Sequence, residues 1–304
     1  MMLVSLDVTN LRSMRTTPRL LVAAALLGVL GASCGSDDKA ADTTTTTTVA
    51  ATVATTAAPS TAAAPTIEQA ATTEGSEPAV TGDIAVFAAA SLTAAYTEIG
   101  DAFMTEYPDS KVMFNFAASS DLVTQINEGA PADVFASADQ ANMTKLTDAG
   151  GNAGEPTVFA TNSLQIIVEP GNPKGITGVA DLAKSDIIYV TCAPEVPIGK
   201  YAAQVLTAAG VTATPASLEE NVKGIVTKVT LGEADAGIVY KTDVIAAGDQ
   251  AEGVEIPADI NVMATYPVVA TKEAANAEGA QAFVAFVAGE QGQKILANYG
   301  FTAP

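Results

Sequence analysis

Histidine and tryptophan are missing from all 304 residues, and the only arginines, Arg12, Arg15 and Arg19, lie near the N-terminus. Without histidine there is no Ser-His-Asp triad, no Cys-His nucleophile pair and little scope for a zinc site. Without arginine beyond residue 19 the rest of the chain has no bidentate guanidinium clamp for a carboxylate. Positive charge is scarce throughout: 14 Lys and Arg face 34 Asp and Glu, a net charge of −20. Such a balance argues against nucleic acid or an anionic membrane surface as partner. The nearest thing to an acid–base pair, Glu195 and Lys200 flanking Pro197-Ile198-Gly199, is better explained as solvated charge. No catalytic residues are assigned, and the chain is not expected to be an enzyme.

The first eighty residues carry no fold signal. Arg12, Arg15 and Arg19 precede an apolar run, Leu20 to Leu30, too short to span a bilayer and suited to the core of a signal peptide. The start is either Met1 or Met14. Gly31-Ala32-Ser33-Cys34, followed by Gly35-Ser36-Asp37-Asp38, resembles the cleavage box of bacterial lipoproteins, although Gly31 stands where leucine is usual. This resemblance implies a signal peptide over residues 1–33 and acylation of Cys34, which would hold the protein to the membrane without spanning it. Residues 34–81, with consecutive threonines from Thr43 to Thr48 amid Ala and Pro, cannot bury enough apolar area to offset chain ordering. They are expected to be a disordered tether.

From Gly82 the pattern changes. Ile84 to Ala88 is strand-like and leads to a helix with Leu92, Tyr96, Ile99 and Phe103 on one face. Lys111 to Phe116 is a second strand. Ser119-Ser120-Asp121 opens a helix carrying Leu122 and Ile126 and stopped by Gly129 and Pro131. Asp133 to Ser137 is a third strand, and Asp139 an N-cap. A second series follows: strands at Leu164–Val168, Ile187–Val190, Ala236–Tyr240 and Tyr266–Ala270, helices from about Lys200 and over Ile225–Leu231, and closing helices over Ala280–Tyr299. The order predicts an α/β protein with mostly parallel sheets in two lobes, with a ligand cleft between them at the carboxyl ends of the strands.

Ser91 follows the first strand, and Ser119 and Ser120 follow the second, each where a strand hands over to a helix N-terminus. Unpaired amides and the positive end of the helix dipole gather there, and flanking alanines admit an anion to the backbone. Serine is also an ordinary N-cap, so each placement alone carries little. With no arginine to help, such a site must rely on neutral donors. Fully deprotonated dianions such as molybdate, tungstate or sulfate suit a cage of donors alone.

Val86-Phe87-Ala88-Ala89-Ala90-Ser91-Leu92-Thr93 and the run from Gly129 through Pro131-Ala132-Asp133 to Ala138-Asp139 resemble the periplasmic molybdate-binding proteins. So do Asn162-Ser163-Leu164, Pro194 to Gly199, Gly237-Ile238-Val239-Tyr240 and the ending Tyr299-Gly300-Phe301. The resemblance covers residues 82–304. It implies a type II periplasmic-binding-protein fold, with lobe I from 82–162 plus about 262–304 and lobe II over about 163–261. The ligand it implies is molybdate or tungstate, with no cofactor and no bare metal ion. Carried over, the oxyanion contacts fall on the hydroxyls of Ser91 and Ser119 (with Ser120 as alternative), the amides of Ile198 and Val222, and the Tyr240 hydroxyl. The implied partner is the membrane permease of an ABC transporter, served by a monomer.

Two features fit this pattern awkwardly: Asp121 beside an anion site, and Cys192, which lacks a disulfide partner if Cys34 is acylated and is expected to be a buried thiol. Rival ligands are sulfate and ferric iron. Tyr201, Tyr240 and Tyr266 are available to iron, but no adjacent tyrosines occur and the serine placement would go unused. A structural lipoprotein is the remaining alternative.

Overall fold

The apolar face Leu92, Tyr96, Ile99 and Phe103 is fully buried, and it is what fixes the first helix against its sheet. Burial of each such aliphatic or aromatic side chain contributes about 1.5–3 kcal/mol. The computed structural model describes residues 80–304, which belong to one compact unit. The leader, Cys34 and most of the tether segment lie outside the described residues. Among those described, no helix is long and apolar enough to cross a membrane.

Five strands make the first sheet: β1 (Gly82–Ala89), β2 (Ser110–Ala117), β3 (Val134–Ala136), β4 (Thr157–Asn162) and β10 (Ala264–Ala270), in the order β2-β1-β3-β10-β4. Helices α1 (Thr93–Glu106), α2 (Ser119–Asn127) and α3 (Gln140–Asp148) connect its early strands, and α7 (Ala277–Ala288) and α8 (Glu290–Asn298) close the chain. The second sheet runs β7-β6-β8-β5-β9, from β5 (Leu164–Val168), β6 (Tyr189–Cys192), β7 (Ser217–Glu219), β8 (Ala236–Tyr240) and β9 (Glu252–Glu255). Its helices are α4 (Pro197–Ala208), α5 (Val222–Thr230) and α6 (Lys241–Ala247).

Both sheets are mixed. β1 is parallel to β2 and β3, but β10 returns from the second half of the chain and inserts antiparallel between β3 and β4. In the second sheet β6 is parallel to β7 and β8, while β5 is antiparallel to β8 and β9. The parallel share is therefore smaller than the β-α-β order suggests, because each sheet also receives a strand on the crossing between halves.

A repeated device locks each sheet. Asp133, just before β3, accepts the Ala85 N–H at 2.7 Å and the Asn276 N–H at 3.0 Å. Asp235, just before β8, accepts the Ile188 N–H at 2.7 Å. These part-buried amides are thus satisfied by side-chain carboxylates. The two chain crossings are tied as well: Asn261 accepts from the Leu164 N–H at 3.2 Å and donates to the Leu164 carbonyl at 3.0 Å.

Several boundaries differ from the sequence pattern, two of them around the site. β6 starts later than Ile187, and α4 begins at Pro197 rather than near Lys200. Proline is well placed as first helical residue, since its missing N–H has no intrahelical partner anyway and its φ already suits the helix.

Candidate oxyanion-binding site

Four helical starts converge on one small cavity. The 3-10 turn Ala90–Leu92 after β1 contributes Ser91, α2 contributes Ser119, α4 contributes Ile198 and α5 contributes Val222; Tyr240, at the end of β8, closes the set. Ala89, Ala90, Ala117, Ala118 and Ala138 line the gaps. Small side chains there let a ligand approach the backbone. The cavity is small, about 20 Å³, which suits a compact solute. All five residues singled out in the sequence are buried, and all five border this space. Ser120 does not border it; its hydroxyl lies 3.4 Å from the Asp121 carboxylate, which is exposed. Asp121 therefore faces away from the cavity.

The local hydrogen bonds leave donors available. The Ser119 hydroxyl oxygen accepts the Ala138 N–H at 3.0 Å, so its own proton is free to point into the cavity. Ser91 Oγ is 3.1 Å from the Tyr266 hydroxyl. Pro197 has no N–H, which makes the Ile198 amide the first donor at the start of α4. Gly199 makes that turn possible: a Cβ there would lie 2.2 Å from the Ala193 carbonyl oxygen and 2.5 Å from that of Cys192. At α5 the Asn221 side chain caps the Lys223 N–H at 2.9 Å, and the Val222 amide precedes it in the unpaired first turn. The Tyr240 hydroxyl is buried with no hydrogen-bond partner. A buried hydroxyl left unsatisfied costs free energy that a ligand oxygen could recover.

Charge near the cavity is internally compensated. Asp243, fully buried, lies 2.9 Å from Lys223 Nζ and 3.3 Å from the Tyr240 N–H. Burial raises its pKa, and Lys223 opposes that shift. Asp139 caps α3 by accepting from the Asn142 N–H at 2.9 Å, and its other oxygen is 3.8 Å from Lys200 Nζ. Lys223, itself half-buried, therefore neutralises a fully buried carboxylate. Burial also holds the Tyr240 hydroxyl well above its ordinary pKa, with Tyr266, Tyr201, Asp243 and Asp139 adding to the effect, so it remains a donor at neutral pH. Cys192 is buried and unpaired, its thiol pushed up to about 12 by desolvation and by Glu219 and Asp243.

Sequence reasoning did not bring the tyrosines together. Tyr240 sits 5.7 Å from Tyr266 and 6.4 Å from Tyr201, ring centre to ring centre, although the three come from separate segments. No group of three or more His, Cys, Asp or Glu that could hold a metal ion occurs among the described residues. A larger groove of about 590 Å³ lies elsewhere, beside α1 and α7. It is lined by Glu106, Glu278 and Glu290, which would repel an anion.

Residues 84–302 match the model of a family described as bacterial extracellular solute-binding protein. The molybdate-binding protein ModA of Mycobacterium tuberculosis is 40% identical over 240 residues, covering 79% of this chain and 90% of the relative. Among solved structures, the periplasmic molybdate-binding protein of Azotobacter vinelandii superposes with a TM-score of 0.63 at 24% identity, covering 73% of this chain and 99% of the other. The sulfate-binding protein SubI of Mycobacterium tuberculosis gives a TM-score of 0.66 at 20% identity, covering 73% and 87%. At those identities the structural likeness shows the fold.

Proposed function

This chain belongs to the bacterial extracellular solute-binding protein family, and from that premise we propose that it captures molybdate or tungstate and delivers it to the permease of an ABC transporter. Family members of this kind bind and deliver solutes and are not enzymes. The observation that carries the reading is the convergence of Ser91, Ser119, Ile198, Val222 and Tyr240 on one small cavity that holds a partnerless buried hydroxyl. The likeness to ModA supports the choice of ligand.

The mechanism follows from the donor set. A tetrahedral dianion offers four acceptor oxygens and no proton. The cavity offers hydroxyl protons from Ser91, Ser119 and Tyr240, and first-turn amides from Ile198 and Val222. The four helical starts add positive potential without a mobile cation. Within each half the donors are held by strand and helix backbone, so little local reorganisation offsets the gain. The surrounding carboxylates, Asp139 and Asp243, already have partners and do not oppose the ligand with bare charge. A protonated anion would bring a donor to a wall of donors, which disfavours phosphate relative to a fully ionised oxyanion.

Two sheets joined by two crossings suit a two-lobed division, lobe I over 82–162 and about 262–304 and lobe II between, working as a monomer. Acylation at Cys34 would keep the protein beside its permease. A Cys34→Ser variant should then move from the membrane fraction to the soluble one. The ligand is tested by thermal denaturation of the anion-stripped protein: molybdate and tungstate should raise the midpoint in proportion to ln(1 + [L]/Kd). Equal midpoints with and without both anions would refute the reading.

A further inference from the structure

Helix α4 packs on the second sheet and supplies Ile198 to the cavity, but Lys200 and Tyr201, one turn into it, reach the other half of the molecule. The Tyr201 hydroxyl donates to the Ala138 carbonyl at 3.4 Å, and the backbone of Thr265 in β10 lies beside the same hydroxyl. Lys200 Nζ stands 3.8 Å from the buried Asp139 carboxylate. Ala138 and Asp139 form the turn between β3 and α3, on the first sheet. The N–H of Ala138 is also the donor to Ser119 Oγ, at 3.0 Å. One short turn therefore holds a ligand-site serine and receives two side chains from the opposite half. Neither Lys200 nor Tyr201 borders the cavity.

We propose that Tyr201 and Lys200 are positioning residues that latch α4 onto the Ala138–Asp139 turn and so set the rate at which a bound oxyanion escapes. The inference rests on the oxyanion-binding reading of the cavity. Contacts that bridge the two halves exist only while the halves are together, so they stabilise the closed arrangement against the open one. An anion buried under four helical starts leaves only after the halves part. Loss of a bridging contact then appears in the dissociation rate, while the encounter of free anion with the open cleft is unaffected. The latch also keeps the Ala138 N–H on Ser119 Oγ, which directs the serine proton toward the ligand. Asp139 has a second role as the N-cap of α3, so the test is made on the α4 side.

The full chain, purified in detergent and loaded with radiolabelled molybdate, is chased with excess unlabelled molybdate. Tyr201→Phe should release the label about three- to tenfold faster than wild type, the loss of one neutral hydrogen bond. Lys200→Met should release it about two- to fivefold faster, with a difference that shrinks as salt is added. In both variants the association rate, taken as the dissociation rate divided by Kd, should match wild type, as should the unfolding midpoint without ligand. A defect of packing alone would lower that midpoint. Wild-type release from both variants, or weaker binding that arises wholly from slower association, would overturn the latch. A wild type that never retains the label would instead overturn the reading of the cavity, and the latch with it.

Discussion

Replacing Tyr240 by phenylalanine should weaken binding and leave the ligand-free fold intact. The Tyr240 hydroxyl is buried and has no partner, whereas its ring is packed against Tyr201 and Tyr266. Phenylalanine keeps the ring and removes the orphaned oxygen. In the ligand-free protein, where the parted halves admit water to the cleft, the melting midpoint should change little. In the complex the same oxygen donates to a dianion, a charge-assisted bond that contributes about 1.5–3 kcal/mol. Affinity for molybdate should therefore fall about 10- to 150-fold. Differential scanning calorimetry of anion-stripped protein reads the first effect and isothermal titration the second. A variant that binds molybdate as wild type does would refute the assignment of Tyr240.

Three further outcomes follow from the same geometry. Burial raises the pKa of Tyr96, Tyr240 and Tyr266 well above the ordinary value of 10.0, so the folded state keeps protons that the unfolded state loses. Their contribution is complete below pH 10 and falls above it by about 1.4 kcal/mol per pH unit for each tyrosine, which a urea titration at stepped alkaline pH would read. Gly199→Ala should weaken molybdate binding at least tenfold, because its Cβ would lie 2.2 Å from the Ala193 carbonyl and the turn carrying Ile198 must open; wild-type affinity would sink the role given to that turn. Ser119→Ala should cost about 1–3 kcal/mol of binding and Ser120→Ala almost nothing, since only Ser119 borders the cavity. Equal losses measured by titration would mean that both hydroxyls reach the ligand.

Much of the fold was legible wherever local pattern and local structure coincide. The helix face Leu92-Tyr96-Ile99-Phe103 is buried as its spacing implies, and Asp139 caps α3 as its place before a helix implies. The short strands β7 and β9 were not foreseen. Ser217–Glu219 and Glu252–Glu255 are partly exposed outer strands whose apolar content is too small to mark them. Helix α6, seven residues long, directly follows β8 and has too few turns to show a period. At the site, the serines could be singled out because strand-to-helix junctions are visible in a single sequence. The aromatic cluster could not, since Tyr201, Tyr240 and Tyr266 meet only when both sheets are assembled. The Lys223–Asp243 pair was hidden for the same reason: residues twenty apart on different helices give no pattern in the chain.

The central claim, that a cage of neutral donors selects a fully ionised tetrahedral dianion, is tested most directly by calorimetric titration of the anion-stripped protein. Molybdate, tungstate, sulfate and phosphate would be titrated at the same pH and ionic strength. The account predicts tight binding of molybdate and tungstate and much weaker binding of phosphate, which brings a proton to a cavity lined mainly by donors. Phosphate binding as tight as molybdate, or no heat with any of the four anions, would contradict it.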